Sequence, residues 1–189
     1  MRVHYNSPVV LTFALASAVV LVANVVTGRG LDFLFSVGPG MNWAAPLDYV
    51  RLFTYVLGHG SVDHLTGNMM MMLLLGPLLE EKYGAGRLLG MIAITAVVTG
   101  LLHVLLFDEG LMGASGVVFM MILLASVTNA QRGTLPLTFV VVVLLYLGRE
   151  VVSALGDDNV SQFAHVLGGG CGAALGFLGP ARAKRSTAS

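Results

Sequence analysis

The chain has 189 residues, of which 56% are hydrophobic and 11% charged, and its mean hydropathy is +0.85. A soluble domain carries about 25% charged residues, so this composition fits several spanning helices and leaves no room for a sizeable water-soluble domain. Lysine plus arginine and aspartate plus glutamate number 10 each, a net charge of zero that gives no sign of nucleic acid or another polyanion as a partner.

Six apolar runs approach the roughly 20 residues that a bilayer requires. The first, Pro8–Val26, contains Ala16-Ser17-Ala18, which looks like a signal-peptide cleavage site. The apolar run continues to Val26, however, and only Arg2 precedes it, so an uncleaved first helix is expected. The connection from Thr27 to Asp63 is the longest. It carries Phe33, Phe35, Trp43 and Tyr49, broken by Gly38-Pro39-Gly40 and Pro46, and fits an interfacial belt better than another span. His64–Glu80, Arg87–Phe107, Ser115–Ala130, Pro136–Leu155 and Ser161–Leu178 follow as spans two to six.

No internal repeat is present. Residues 1–180 therefore read as one six-helix transmembrane domain, all-α, and 181–189 as a basic, polar, disordered tail. The single cysteine, Cys171, cannot form an internal disulfide and reads as a small packing residue.

Basic residues set the orientation. With both termini cytoplasmic, Arg2, Lys82, Arg87, Arg132, Arg182, Lys184 and Arg185 lie inside, and Arg29, Arg51 and Arg149 outside. Ser115 then begins its helix from the non-cytoplasmic side.

A hydroxyl and an imidazole at membrane depth are costly unless something uses them. Ser115 sits in Gly113-Ala114-Ser115-Gly116, at the head of a run that spans only about 24 Å at about 1.5 Å per residue. That is short of a hydrocarbon core of roughly 30 Å. The helix should therefore start below the surface, with Gly110–Gly113 as irregular backbone buried in protein or lining a wet depression. Amides at a helix start favour developing negative charge. Equally, Ser115 could be an N-cap in a small-residue seam.

His165 tilts that balance. Gly168, Gly172 and Gly176 follow it at offsets of three, seven and eleven, on one helix face. Such a stripe lets a neighbouring helix approach closely. A short serine side chain needs that approach, because nucleophile and base must meet at about 2.6–3.2 Å. The bland alternative for His165 is an interhelical hydrogen bond. His64 and Asn68, four apart, can both donate hydrogen bonds and suit an oxyanion hole. Taken alone, they read equally as a polar pair capping a helix.

Together, His64-x-x-x-Asn68, Gly113-Ala114-Ser115-Gly116 and Ala164-His165-x-x-Gly168-x-x-x-Gly172 resemble the rhomboid intramembrane serine proteases. Gly76 and Glu80, near the end of the second span, are similar to that family's glycine-then-glutamate pattern. Arg51 and His59 fall where its first-loop arginine and a loop histidine stand. The resemblance runs from about Val50 to Phe177. It departs at Val50, usually tryptophan, which puts anchoring of the loop in doubt. It departs again at Phe119, often tyrosine, whose ring can still stack on the imidazole.

The resemblance implies peptide-bond hydrolysis in transmembrane protein substrates within a lipid bilayer. Ser115 is the implied nucleophile and His165 the base, with the Ser115 amide, His64 and Asn68 as oxyanion donors. Gly113, Phe119, Gly168 and Gly172 are the expected supports. The acids lie in loops or near span ends, so a Ser–His dyad is expected, Glu150 being the one candidate for a third member. No metal and no cofactor are expected, and the expected location is the plasma (inner) membrane.

A zinc site built from His59, Asp63, His64 and His165, with His103 or His4, lacks His-Glu-x-x-His spacing. A non-catalytic protein that binds or escorts other membrane helices would use the same seam. A channel or transporter is weakened by the absence of repeats and of a charged pathway.

Overall fold

The computed structural model describes residues 5–130 and 159–178, together with Leu137, Val140, Val141, Leu144, Leu145 and Gly148. The described structure is all-helical. In chain order the helices are α1 (Pro8–Val26), α2 (Pro46–Thr54), α3 (Val62–Tyr83), α4 (Ala85–Leu106), α5 (Ser115–Ala130) and α6 (Asn159–Leu178). Short 3-10 turns occupy Asp32–Phe35 and Tyr55–Leu57.

The expected spans agree with α1 and α5 at both ends, and with α3, α4 and α6 within a few residues. The fifth expected span, Pro136–Leu155, lies mostly outside the described residues. Its six described positions are helical, and five of them are exposed. The expected tail lies outside the described residues as well. Among the described residues, α1 and α4 alone are long and apolar enough to cross a bilayer by length and composition; α5 and α6 hold shorter apolar stretches, Ser115–Ser126 and Phe163–Gly176.

Around a buried apolar core that includes Met72, Leu88, Met120 and Ile122, the outer faces are apolar too, and several polar side chains are buried. Leu15, Val19, Val22, Met70, Leu78, Leu89, Ile94, Leu105 and Val166 are exposed. Ser17, Asn24, Asn68, Glu80, Thr95, Thr99, His103, Ser115 and His165 are buried. An apolar exterior around polar side chains suits a helix bundle in lipid, where packing and internal hydrogen bonds hold helices together in place of the hydrophobic effect.

The contact between α1 and α3 shows how sequence builds that packing. Gly76 and Glu80 share a face of α3 at i, i+4. A Cβ on Gly76 would stand 2.6 Å from Val10 Cγ2, so the glycine admits the start of α1. One turn on, the Glu80 carboxylate accepts the Val9 and Val10 amides at 3.1 Å each. These are first-turn donors that α1 cannot satisfy itself. Gly84, at φ +86, then ends α3 by donating its N–H to the Glu80 carbonyl, and α4 begins at once.

The connection between α1 and α3 is more structured than an irregular aromatic belt. Pro46 opens α2 with its preset φ. Phe33, Trp43, Tyr49 and Phe53 remain exposed there, as an interfacial segment requires.

Candidate active site

Between α4 and α5 the chain runs as irregular backbone from Phe107 to Ala114. Leu111 pairs with Val37 of the first connection through two backbone hydrogen bonds, 3.0 and 2.7 Å. Gly113 donates its N–H to the Tyr55 carbonyl at 3.0 Å. Leu111, Gly113 and Ala114 are buried, so the segment is covered by protein, as the short serine helix requires. From the other side, the Nε2–H of buried His103 donates to the Glu109 carbonyl at 2.8 Å.

Gly113 is needed twice over. Its φ of +124 lies where side chains are strained, and a Cβ there would stand 2.6 Å from the His64 ring. His64 therefore lies against the backbone two residues before Ser115. Helix α5 starts at Ser115, and its first close is Val118 N–H to Ala114 C=O at 2.9 Å. The amides of Ser115, Gly116 and Val117 thus precede the intrahelical ladder and form a donor-rich helix start.

The glycine seam brings α5 and α6 to backbone contact. A Cβ on Gly168 would fall on the Gly116 carbonyl, and one on Gly172 on the Met120 carbonyl. A Cβ on Gly116 would stand 3.2 Å from the Ala164 carbonyl, so the residue after Ser115 touches the residue before His165. Phe119, one turn along α5 from Ser115, stacks on the His165 ring with centroids 4.1 Å apart and planes 8° from parallel. Ser115 and His165 are the chain neighbours of that Gly116–Ala164 contact, and each is 8% exposed.

A second cluster joins the loop before α3 to its first turns. Ser61 caps α3, its hydroxyl accepting the His64 amide at 3.1 Å. The His59 ring, 1% exposed, meets His64 edge-on with centroids 5.0 Å apart. His59 Nδ1 lies 3.1 Å from the Leu57 carbonyl and Nε2 3.2 Å from Asn68 Nδ2. A carbonyl only accepts, so Nδ1 carries the hydrogen and Nε2 receives the Asn68 N–H. Burial, then the neighbouring His64 charge, pushes His59 down from 6.5 to about 4, while its bond to Leu57 opposes this. His59 is therefore neutral near pH 7.

The Rhomboid domain matches residues 46–182 of the chain, which contain the serine, both histidine clusters and the glycine seam. The chain belongs to the rhomboid family. It is also similar to Rhomboid-related protein 2 of Mus musculus, 31% identical over 143 residues, an alignment that covers 67% of this chain and 47% of the mouse protein. The chain thus spans about half the length of that curated relative. Rhomboids are membrane proteins, in keeping with the apolar outer faces described above.

In this rhomboid the first loop is anchored without an aromatic residue at position 50. Arg51 donates from Nε to the Ser36 carbonyl at 2.9 Å and from Nη1 to Asp48 at 2.8 Å. The Arg51 guanidinium, with the Asn42 amide, holds the Asp48 carboxyl below its usual range. Val50 itself is exposed.

Two residues carry more than their motifs suggested. Glu80 is buried and engaged by α1, and so is not available to orient an imidazole. His103, expected at most as a supporting zinc ligand, instead braces the segment leading to Ser115. Glu150 lies outside the described residues. No group of three His, Cys, Asp or Glu side chains among the described residues is placed to hold a metal.

Proposed function

We propose that this rhomboid is an intramembrane serine endopeptidase that cuts transmembrane proteins through a Ser115–His165 dyad. The observation that carries the reading is the His165 ring stacked on Phe119, one turn from Ser115, across helices in backbone contact. In this reading Ser115 Oγ attacks the scissile carbonyl carbon while His165 takes the hydroxyl proton. The oxyanion receives hydrogen bonds from the Ser115 amide, His64 and Asn68, each worth about 2.7–4 kcal/mol in the transition state.

Collapse of the intermediate breaks the C–N bond, and His165 returns its proton to the leaving amine. Water, deprotonated by His165, then hydrolyses the acyl ester and restores Ser115. The packed Phe119 ring orients the imidazole where a triad would use a carboxylate.

The seven-to-three basic bias supports cytoplasmic termini, with the site opening on the other face of a plasma (inner) membrane. A single cysteine at Asp108, in a Cys171→Ala background, then reacts with impermeant reagents from the non-cytoplasmic side only; reaction from the cytoplasm alone inverts this topology.

The deciding experiment is cleavage of a single-span substrate by reconstituted wild type and Ser115→Ala. Wild type cuts and the variant does not. A folded wild type that binds such helices without cutting them would instead support a non-catalytic escort.

A further inference from the structure

We infer that His59 is a positioning residue for the oxyanion site, holding the Asn68 carboxamide through its neutral Nε2. The inference rests on the protease reading above and adds to it a residue that touches neither the nucleophile nor the base.

The geometry is directional. Leu57 C=O fixes the hydrogen on His59 Nδ1, which leaves Nε2 only as an acceptor. Asn68 Nδ2 lies 3.2 Å from that acceptor, so one of its two N–H bonds points at His59 and the plane of the carboxamide is set. The second N–H is then held in one direction, as a donor to a transient oxyanion must be if no reorganisation is to accompany the reaction. The same ring meets His64 edge-on at 5.0 Å, so one buried side chain braces both proposed oxyanion donors.

Burial makes the bond directional in practice. At 1% exposure His59 has no water to exchange for Asn68, and an unpaired buried nitrogen would be costly. Its position in the loop Gly58–Ser61, immediately before the Ser61 cap, ties loop conformation to the carboxamide. The loop backbone is itself held by Arg29, which donates to the Gly60 carbonyl.

The test is a double-mutant cycle between His59 and Asn68 on the full chain in detergent or liposomes. It is read by kcat and KM for a single-span substrate and by the rate of phosphonate labelling at Ser115. His59→Phe keeps a ring against His64 and removes both nitrogens. It should lower kcat and the labelling rate about tenfold, as loss of alignment without loss of the donor, with KM unchanged. Complete loss of a donor costs about 10²–10³. His59→Gln, which can accept from Asn68 and donate to Leu57, should restore most of the rate.

In an Asn68→Ala background, His59→Phe should cost nothing further. Multiplicative losses, or a kcat unchanged in His59→Phe, would overturn the inference, as would a folded His59→Gln no faster than His59→Phe. Should His59→Phe fail to fold by melting temperature, His59→Met carries the same arm. Wild-type turnover by Ser115→Ala removes the protease reading itself. Loss of activity in Ser115→Ala together with multiplicative losses in the cycle removes His59 alone.

Discussion

The ring of Phe119 lies 4.1 Å from that of His165 and 8° from parallel, although the two belong to different helices. A catalytic imidazole needs its two rotatable bonds constrained, and a stacked ring supplies such a constraint. Phe119→Leu should therefore lower kcat about tenfold, with the fold intact, because a small displacement of the base is magnified in rate. Phe119→Tyr should keep the stack and most of the activity. Steady-state kinetics on both variants checks this, and a Phe119→Leu enzyme as fast as wild type would show that the stack does not orient the base.

The glycines of α6 divide by what they face. A Cβ on Gly168 or Gly172 would fall on the Gly116 or Met120 carbonyl, one on Gly169 would meet only Leu123 at 3.6 Å, and one on Gly170 nothing within 4 Å. Even alanine at Gly168 or Gly172 must push α5 and α6 apart. Because about 1 Å of misplacement can cost on the order of a hundredfold, Gly168→Val and Gly172→Val should lose activity by at least that factor. Gly170→Ala should be mild. Phosphonate labelling rates in the folded variants report the effect, and equal rates in Gly172→Val and Gly170→Ala would contradict it.

Glu80 provides a stability prediction independent of chemistry. Its carboxylate accepts two first-turn amides of α1, and bonds to a charged group are worth about 1.5–3 kcal/mol each. Glu80→Ala should lower the melting temperature markedly and loosen α1, whereas exposed Glu81→Ala should change little. Thermal unfolding in detergent measures both, and equal melting temperatures would show that the cap carries no stability.

A pH dependence follows from His59. Its folded value, about 4, lies below its ordinary 6.5, so between these limits the unfolded chain binds the extra proton. Stability therefore rises with pH across this window and is lost as pH falls from about 6.5 towards about 4. His59→Gln should flatten that part of the melting-temperature profile. An unchanged slope would assign the dependence to another group.

The helical architecture, the start of α5 at Ser115 and the α6 seam were legible in the sequence because they follow from apolar length and glycine spacing. Phe119 against His165 was expected from the family resemblance alone, since an offset of four places Phe119 near Ser115 on α5 but says nothing of the partner helix. Long-range partners were not legible. Nothing local to Glu80 says that it reaches the amides of Val9 and Val10, some 70 positions away. His59 has no periodic signature, lying in a loop whose path is set by Arg29, Leu57 and Ser61. Helix α2 was missed because Gly, Pro and exposed aromatics dominate its surroundings, while Arg51 and Asp48 pair only once it has formed.

The central claim, that Ser115 is a nucleophile activated by His165, is tested most directly by covalent labelling with a serine-reactive phosphonate, followed by mass spectrometry of the intact protein and of its peptides. The account predicts one adduct on Ser115 in wild type, and none in Ser115→Ala. In folded His165→Ala the rate should fall by at least about 10³-fold, since members of a proton-sharing pair fail together. Labelling of His165→Ala at the wild-type rate, or an adduct on wild type at any serine other than Ser115, would contradict it.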